Sequence, residues 1–437
     1  MSRGDRLTFV QATQLSPPDP EIQAKYNYSY DLSAHGGPES PLKIAFPEFQ
    51  YADMCKCVCR RRRKVHRLIK PLDEFIDGLT ELGIPFVEEH ARGNAVGQFW
   101  TASSTNPKKN TRSTSLYNYY DPVSARKNLK LLPMHQVIEI LFSRDLTAEG
   151  VKAINRDTGK RVSFKAKKEV ILAAGGVYTP QVLQLSGIGP KCVLDAASVK
   201  TKLDFPAVGS NFQDHPTAYM SWNITASFPT TSTLARNSTF FEEAKQLYRT
   251  ERTGILTKSL ATYLGFMTIH DISENAEALL DEAEATSPEN FLPDVYSKDE
   301  RLVAGFKAQR DILTTAIRAD EVAVLEIPLP GGGLLPTAMQ KPLSRGTVHL
   351  NATDILGNPT VLYNSLAHPF DRATLHASMN FTRRLAATEA VASLSKQSHV
   401  WKSLVGHLGA LSDPRLQDHP VPSEIHADPL SIARRSR

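Results

Sequence analysis

The sequence predicts an α/β unit followed by an α+β unit, and three stretches carry that expectation. Residues 167–190, KKEVILAAGGVYTPQVLQLSGIGP, read as strand, small-residue turn and helix. Residues 129–142, LKLLPMHQVIEILF, are apolar enough for a strand, and 151–154 resume one. Residues 323–329 and 345–350 supply strands in the second half, with helical spacing on either side.

The first stretch is the one the chain is organised around. Val170, Ile171 and Leu172 suit a strand buried on both faces. Ala173, Ala174, Gly175 and Gly176 are all small, so a ligand or another backbone can approach closely. Thr179 offers an N-cap and Pro180 suits the first helical position. Val182, Leu183 and Leu185 give the helix an apolar face, and Gly187 ends it. A helix N-terminus at the end of a parallel-type strand is a common seat for a nucleotide. A tight β–α turn with no ligand is the competing reading.

Residues 205–216 read FPAVGSNFQDHP. Together with TPQVLQLSGIGP this closely resembles the glucose–methanol–choline family of flavin oxidoreductases, in its fungal-like run of motifs. The agreement covers Thr179, Pro180, Ser186, Gly187, Ile188, Gly189, Val208, Gly209, Asn211, Gln213, Asp214, His215 and Pro216. Thr111, Arg112 and Ser113 with Arg126, Asn128 and Leu129 are a weaker match, as are Ser344, Arg345, Gly346 and Val348. The likeness runs from about residue 42 to about residue 371.

The resemblance implies a partial FAD-binding, Rossmann-like domain joined to a substrate domain built on an antiparallel sheet. It implies FAD as cofactor, with the Val137 backbone at the adenine. Ala173, Gly175 and Gly176 are then expected on the adenosine side, and Asn211, Asp214 and His215 beside the flavin edge. For His215 a structural role is the stronger reading, because Asn and Asp stabilise turns through their own backbone. The implied reaction is oxidation of a CH–OH group to a carbonyl. An aromatic or polyketide-derived alcohol, in secondary-metabolite biosynthesis, is the expected substrate.

Composition sets the outer limits. With 437 residues, 41% hydrophobic and 22% charged, the chain is ordinary for two or three globular domains. A net charge of +5 does not call for nucleic acid. No run of about 18 apolar residues exists, so no membrane span is expected. The first twenty residues lack the apolar core of a signal peptide, which leaves localisation open. Sequons stand at Asn27, Asn223, Asn237, Asn351 and Asn380.

In chain order, residues 1–41 show no period and match poorly. An FAD-binding domain of roughly 42–218 follows, then a substrate domain of 219–400 and a divergent tail of 401–437. Cys55, Cys57 and Cys59 precede a basic run, 60–64. Cys-x-Cys-x-Cys has no fourth ligand at finger spacing, so a surface loop is expected there, and no metal. Leu72, Phe75, Ile76, Leu79 and Leu82 repeat at helical spacing before Gly83. Glu149-Gly150 reads as a turn between strands. Phe240 to Tyr248 suggests an amphipathic helix, with Thr253, Gly254, Leu256 and Thr257 resembling a family loop. Residues 271–300 carry ten acidic side chains and read as solvated helix and loop. Strands 323–329 and 345–350 are expected to pair. Gly331, Gly332 and Gly333 form a flexible turn between them, and Leu375, Met379 and Leu385 mark a covering helix.

No catalytic residue is assigned. Relatives place a histidine in an HPxGT-type loop, with a second histidine or asparagine beyond it. His407, His419 and His426 do not reproduce that pattern. No GxGxxG precedes Lys167 either. The chain as written therefore reads as truncated at both ends, and is expected to be colourless and inactive by itself. A non-redox family member is the other alternative.

Overall fold

A six-stranded sheet gathers strands from the first quarter of the chain to its last tenth. The computed structural model describes residues 13–26, 28–37, 39–46, 71–221, 231–257, 262–329, 334–394 and 402–405. Edge to edge, the sheet runs Lys402–Val405, Thr217–Ser221, Leu334–Met339, Leu325–Pro328, Tyr263–Met267 and Gly97–Trp100. The pairings between Thr217–Ser221 and Gly97–Trp100 are antiparallel throughout. Strand Tyr263–Met267 buries alternate residues fully, as a pleated strand with one core face does.

Helix Pro369–Ala387 lies over this sheet and buries Phe370, Leu375, Phe381 and Leu385. Helix Pro71–Glu81 adds Phe75 and Leu79 to the same core, ended by Gly83 in the left-handed region at φ 81°. Each such side chain contributes about 1.5–3 kcal/mol on burial. Residues 1–404 form one unit and 405–437 a second, which lies outside the described residues except for Val405.

A separate three-stranded antiparallel sheet holds His135–Phe142, Ala148–Asn155 and Arg161–Lys165. Its first turn is not at Glu149-Gly150, which lie inside the middle strand. Residues 143–147 make the turn, where the Ser143 N–H donates to the Thr147 carbonyl at 3.0 Å. Gly150 is small for another reason: a Cβ there would stand 2.2 Å from the Phe164 carbonyl oxygen.

Helix Gly175–Leu185 packs on this sheet, and Ser186 Oγ accepts the Ile140 N–H at 2.8 Å. Two expectations fail here. The helix starts at Gly175, four residues before Thr179, so Pro180 lies inside it. Residues 170–172 are not a strand, and Ile171 is 80% exposed. A strand needs a neighbouring edge to satisfy its N–H and C=O groups, and residues 170–172 pair with none of the described strands.

Two more corrections concern pairing. Strand Leu325–Pro328 sits between Tyr263–Met267 and Leu334–Met339, not beside residues 345–350. Thr347–His349 instead pairs with Thr360–Leu362 in a small sheet of its own. Leu334–Met339 is the nearer segment in sequence, so it takes the available edge. The N-terminal region also contains more than its sequence shows. Strand Thr13–Ser16 pairs in parallel with Leu42–Ala45, and helix Pro20–Tyr26 lies between them.

The acidic stretch folds into short helices, with Ala276, Leu280 and Ala283 turned into the core. The cysteines at 55, 57 and 59, the basic run, Asn27, Asn223, the glycines at 331–333, and His407, His419 and His426 lie outside the described residues.

Candidate functional site

Loop 205–216 is fastened to residues 344–350 from both sides. The Gly209 carbonyl accepts the Val348 N–H at 2.7 Å. At φ 83°, Gly209 lies where only glycine fits: a Cβ would fall 2.1 Å from the Val348 oxygen. Phe212 and Gly346 exchange both backbone hydrogen bonds, at 3.1 and 2.7 Å. Gln184, fully buried at the end of the Gly175–Leu185 helix, joins the two segments. Its Nε2 donates to the carbonyls of Val208 and Val348 at 3.2 and 3.1 Å, and its Oε1 accepts the Leu350 N–H at 2.8 Å.

Arg345 is the hub beneath the loop. It is 1% exposed, and its guanidinium lies over the Phe306 ring at 5.6 Å. Its Nε donates to Asn211 Oδ1 at 2.7 Å, and its Nη1 to the carbonyls of Pro342 and Ser344 at 2.7 and 3.0 Å. Burial pulls its pKa below the ordinary arginine value. Asn211 stands in the left-handed region at φ 63° and donates its N–H to the Tyr296 hydroxyl at 3.0 Å. Burial in turn pushes the Tyr296 phenol up. Asp371, wholly buried, accepts the N–H groups of Leu343 and Ser344 at 2.7 and 2.8 Å, and burial pushes its carboxyl up.

His368 completes this cluster. Its Nδ1 accepts the Phe370 N–H at 3.0 Å and so caps helix Pro369–Ala387. The proton therefore sits on Nε2, which is buried with no hydrogen-bond partner and lies edge-on to Phe291. Burial, and after it the nearby Arg372, Arg310 and Arg345, lower its pKa to about 4.

Asp214 and His215 are exposed. Asp214 Oδ1 accepts the His215 N–H at 2.8 Å, the local turn that Asp favours. His215 Nδ1 faces Gln340 Nε2 at 3.3 Å, and that nitrogen donates to Glu326 Oε2 at 2.7 Å. Burial pushes the Glu326 carboxyl up.

Val137 is half-buried in strand His135–Phe142, opposite Ala153 and beside a bulge. Ala173, Gly175 and Gly176 are exposed at the start of the helix that packs on this sheet. No side chain caps that helix start, and a Cβ at Gly175 or Gly176 would meet nothing within 4 Å. Free N–H groups and open space suit an anionic ligand there. Ala173, Gly175 and Gly176 thus lie at the start of an 11-residue helix, and loop 205–216 is joined to its other end through Gln184. At 1.5 Å per residue these ends stand roughly 16 Å apart.

Sequence reasoning missed Gln184, Tyr296, Asp371 and Gln309, whose Oε1 accepts from Arg345 Nη2 at 3.4 Å. Gln184 alone left a signal, as a glutamine among apolar residues just before Gly187.

Residues 50–217 match the family model described as GMC oxidoreductase. Dehydrogenase xptC of Emericella nidulans is 29% identical over 394 residues, covering 88% of this chain and 59% of the relative. A solved fungal aryl-alcohol oxidase superposes with a TM-score of 0.79 at 29% identity, covering 90% of this chain and 64% of that one. An FAD-dependent oxidoreductase from Chaetomium thermophilum gives 0.78 at 30% identity, covering 88% and 63%. The chain thus spans between about half and three fifths of the curated relatives it matches.

Proposed function

From the premise that this chain belongs to the GMC oxidoreductase family, we propose that it serves the oxidation of an alcohol to a carbonyl compound. The cofactor of the family is FAD, which when bound supplies a hydride acceptor. The described residues fit one side of it. The Val137 backbone would meet the adenine, and Ala173, Gly175 and Gly176 would admit the adenosine half at an uncapped helix start. A pyrophosphate needs further backbone donors, and no second glycine-rich helix start occurs among the described residues. Asn211, Asp214 and His215 would border the flavin edge, with Arg345 fixing the height of their loop through Asn211.

The observation that carries this reading is the interlock of two family motifs. Gly209 and Val348, Phe212 and Gly346, and Asn211 and Arg345 meet pairwise, from segments more than 130 residues apart in the chain. The proposed substrate is a small aromatic or polyketide-derived alcohol. Its support is one solved neighbour, an aryl-alcohol oxidase.

The test is anaerobic mixing of the FAD-saturated protein with a panel of benzylic, allylic and aliphatic alcohols. Bleaching of the flavin band by a benzylic alcohol, with the aldehyde as product, is the expected result. A bound flavin that none of the panel reduces would refute the reading.

A further inference from the structure

Helix Pro369–Ala387 covers one face of the six-stranded sheet, where Thr382 meets Thr337. The other face is half-buried along the four strands that hold residues 217–221, 334–339, 325–328 and 263–267. Two cross-strand rows stand on it. One passes through Thr217, Ala338, Glu326 and Phe266, the other through Tyr219 and Pro336 and on to Leu264 and Phe99. We propose that this face is the wall against which the alcohol lies, and that Glu326 Oε1 accepts a hydrogen bond from a phenolic hydroxyl on the substrate ring. The inference rests on the alcohol-oxidation reading and narrows its substrate to hydroxy-substituted aromatic alcohols.

The argument starts from the two oxygens of Glu326. Oε2 accepts from Gln340 Nε2 at 2.7 Å. Oε1 has no partner among the described residues, and unlike the sealed Nε2 atoms of His349 and His368 it reaches solvent. Its cross-strand neighbours on this face are Ala338 and Phe266, and neither can donate a hydrogen bond. No lysine or arginine pairs with Glu326 among the described residues either. Burial already disfavours the charge and pushes the carboxyl up, so a donor at Oε1 relieves a cost the fold carries. A phenol donates there without bringing a second charge onto an apolar wall. A metal ion would need more ligands, and no group of three or more metal-binding side chains exists among the described residues.

The surroundings of Glu326 select an aromatic body. Phe266 stacks on Phe99 at 5.6 Å, and Phe99 stacks on His90 at 4.3 Å. The Phe266 ring is therefore fixed before any ligand arrives, which lowers the entropy lost on binding. Ala338 keeps the other side of Glu326 low. Tyr219 and Pro336, directly opposite each other, add flat apolar surface in the next row. The face is also joined to the family loop. Gln340 Nε2, which holds Glu326, meets His215 Nδ1 at 3.3 Å. The acceptor thus stands beside loop 205–216, the loop that on the redox reading borders the flavin edge.

The test compares 4-hydroxybenzyl alcohol with 4-methylbenzyl alcohol, which has nearly the same shape but no phenolic donor. Their Kd values for the full chain are measured by saturation-transfer NMR at pH 8, where a phenol keeps its proton and a carboxyl has lost its own. This readout needs no flavin turnover, so it separates the fate of Glu326 from that of the redox reading, which the bleaching experiment decides. The hydroxy compound is expected to bind about tenfold tighter, the worth of one hydrogen bond to a charged acceptor at a half-buried site. Glu326→Leu is expected to bring the ratio of the two Kd values to about one. If that variant does not fold, by circular dichroism, Glu326→Gln takes its place and is expected to reduce the ratio at least threefold. Equal affinity of the parent for the two alcohols, saturable binding of neither, or a ratio that survives the substitution would overturn the proposal and leave water as the partner of Oε1.

Discussion

His368 and His349 put a pH dependence into the fold. Each has a buried Nε2 with no partner, and burial lowers each pKa from 6.5 to about 4. Above pH 6.5 both are neutral in the folded and unfolded chains, so neither affects stability. As pH falls below 6.5 the unfolded chain binds protons that the folded one refuses, until about pH 4. Each histidine is thus expected to remove about 2–3 kcal/mol between pH 7 and pH 4.5. His368→Asn keeps an acceptor at the helix cap but cannot titrate. Its urea midpoint should fall less between these pH values than that of the parent, and an equal fall would contradict the assignment. Two glycines make a second contrast. Gly209 and Gly175 share a positive φ, but only Gly209 is crowded. Gly175→Ala should cost about 1–2 kcal/mol from the left-handed backbone alone. Gly209→Ala adds a clash worth about 1–3 kcal/mol more. Chemical denaturation of the two variants side by side measures the difference.

The Gly175–Leu185 helix shows what a sequence makes legible in an element and what it does not. Its apolar face and its stop at Gly187 follow from spacing alone, because both are properties of one segment. Its start does not. Thr179 and Pro180 look like a helix start, yet the helix begins at Gly175, five residues before Pro180. The missing strand at 170–172 has the same lesson in another form. Alternation and apolarity mark a candidate strand, but the strand exists only where an edge receives it. The site was half legible for a related reason. Gly209, Asn211 and Arg345 stand in recognisable motifs, whereas Gln309, Tyr296 and Asp371 serve the same cluster from segments with no signature. Gln184 is the element-level test. Gln184→Ala strands the carbonyls of Val208 and Val348 and the N–H of Leu350. Each buried unmatched group costs about 1–3 kcal/mol, so a loss of more than about 3 kcal/mol is expected. Limited proteolysis should then cut first within 205–216. A variant that retains the parent's midpoint and cleavage pattern would rule out the joining role.

At the scale of the whole molecule, apolar surface is divided unevenly. The six-stranded sheet and its helices bury nearly all of theirs, and Phe381→Ala at the centre should cost about 3–5 kcal/mol. Elsewhere the balance reverses. Leu116, Tyr117, Leu131, Met134 and Ile171 are each at least half exposed. A hydrophobic dye should therefore bind the native protein. Leu131→Gln with Ile171→Gln should lower dye fluorescence without lowering the melting temperature, because neither side chain belongs to the core. A fall in melting temperature for that pair would mean that the surface is packed in solution.

The edge position of Gly97–Trp100 carries a consequence for synthesis. Its partner, Tyr263–Met267, lies more than 160 residues further along the chain. At roughly 5–20 residues per second, a ribosome needs about 10–30 s to deliver it. During that interval Phe99 and Trp100 belong to a nascent strand with no sheet to join. The same wait holds Trp100 away from Tyr263, whose ring it meets edge-on at 4.9 Å, so that contact forms only in the second half of translation. Chaperone demand should accordingly peak while residues 100–263 are being made, and fall once Tyr263–Met267 leaves the exit tunnel.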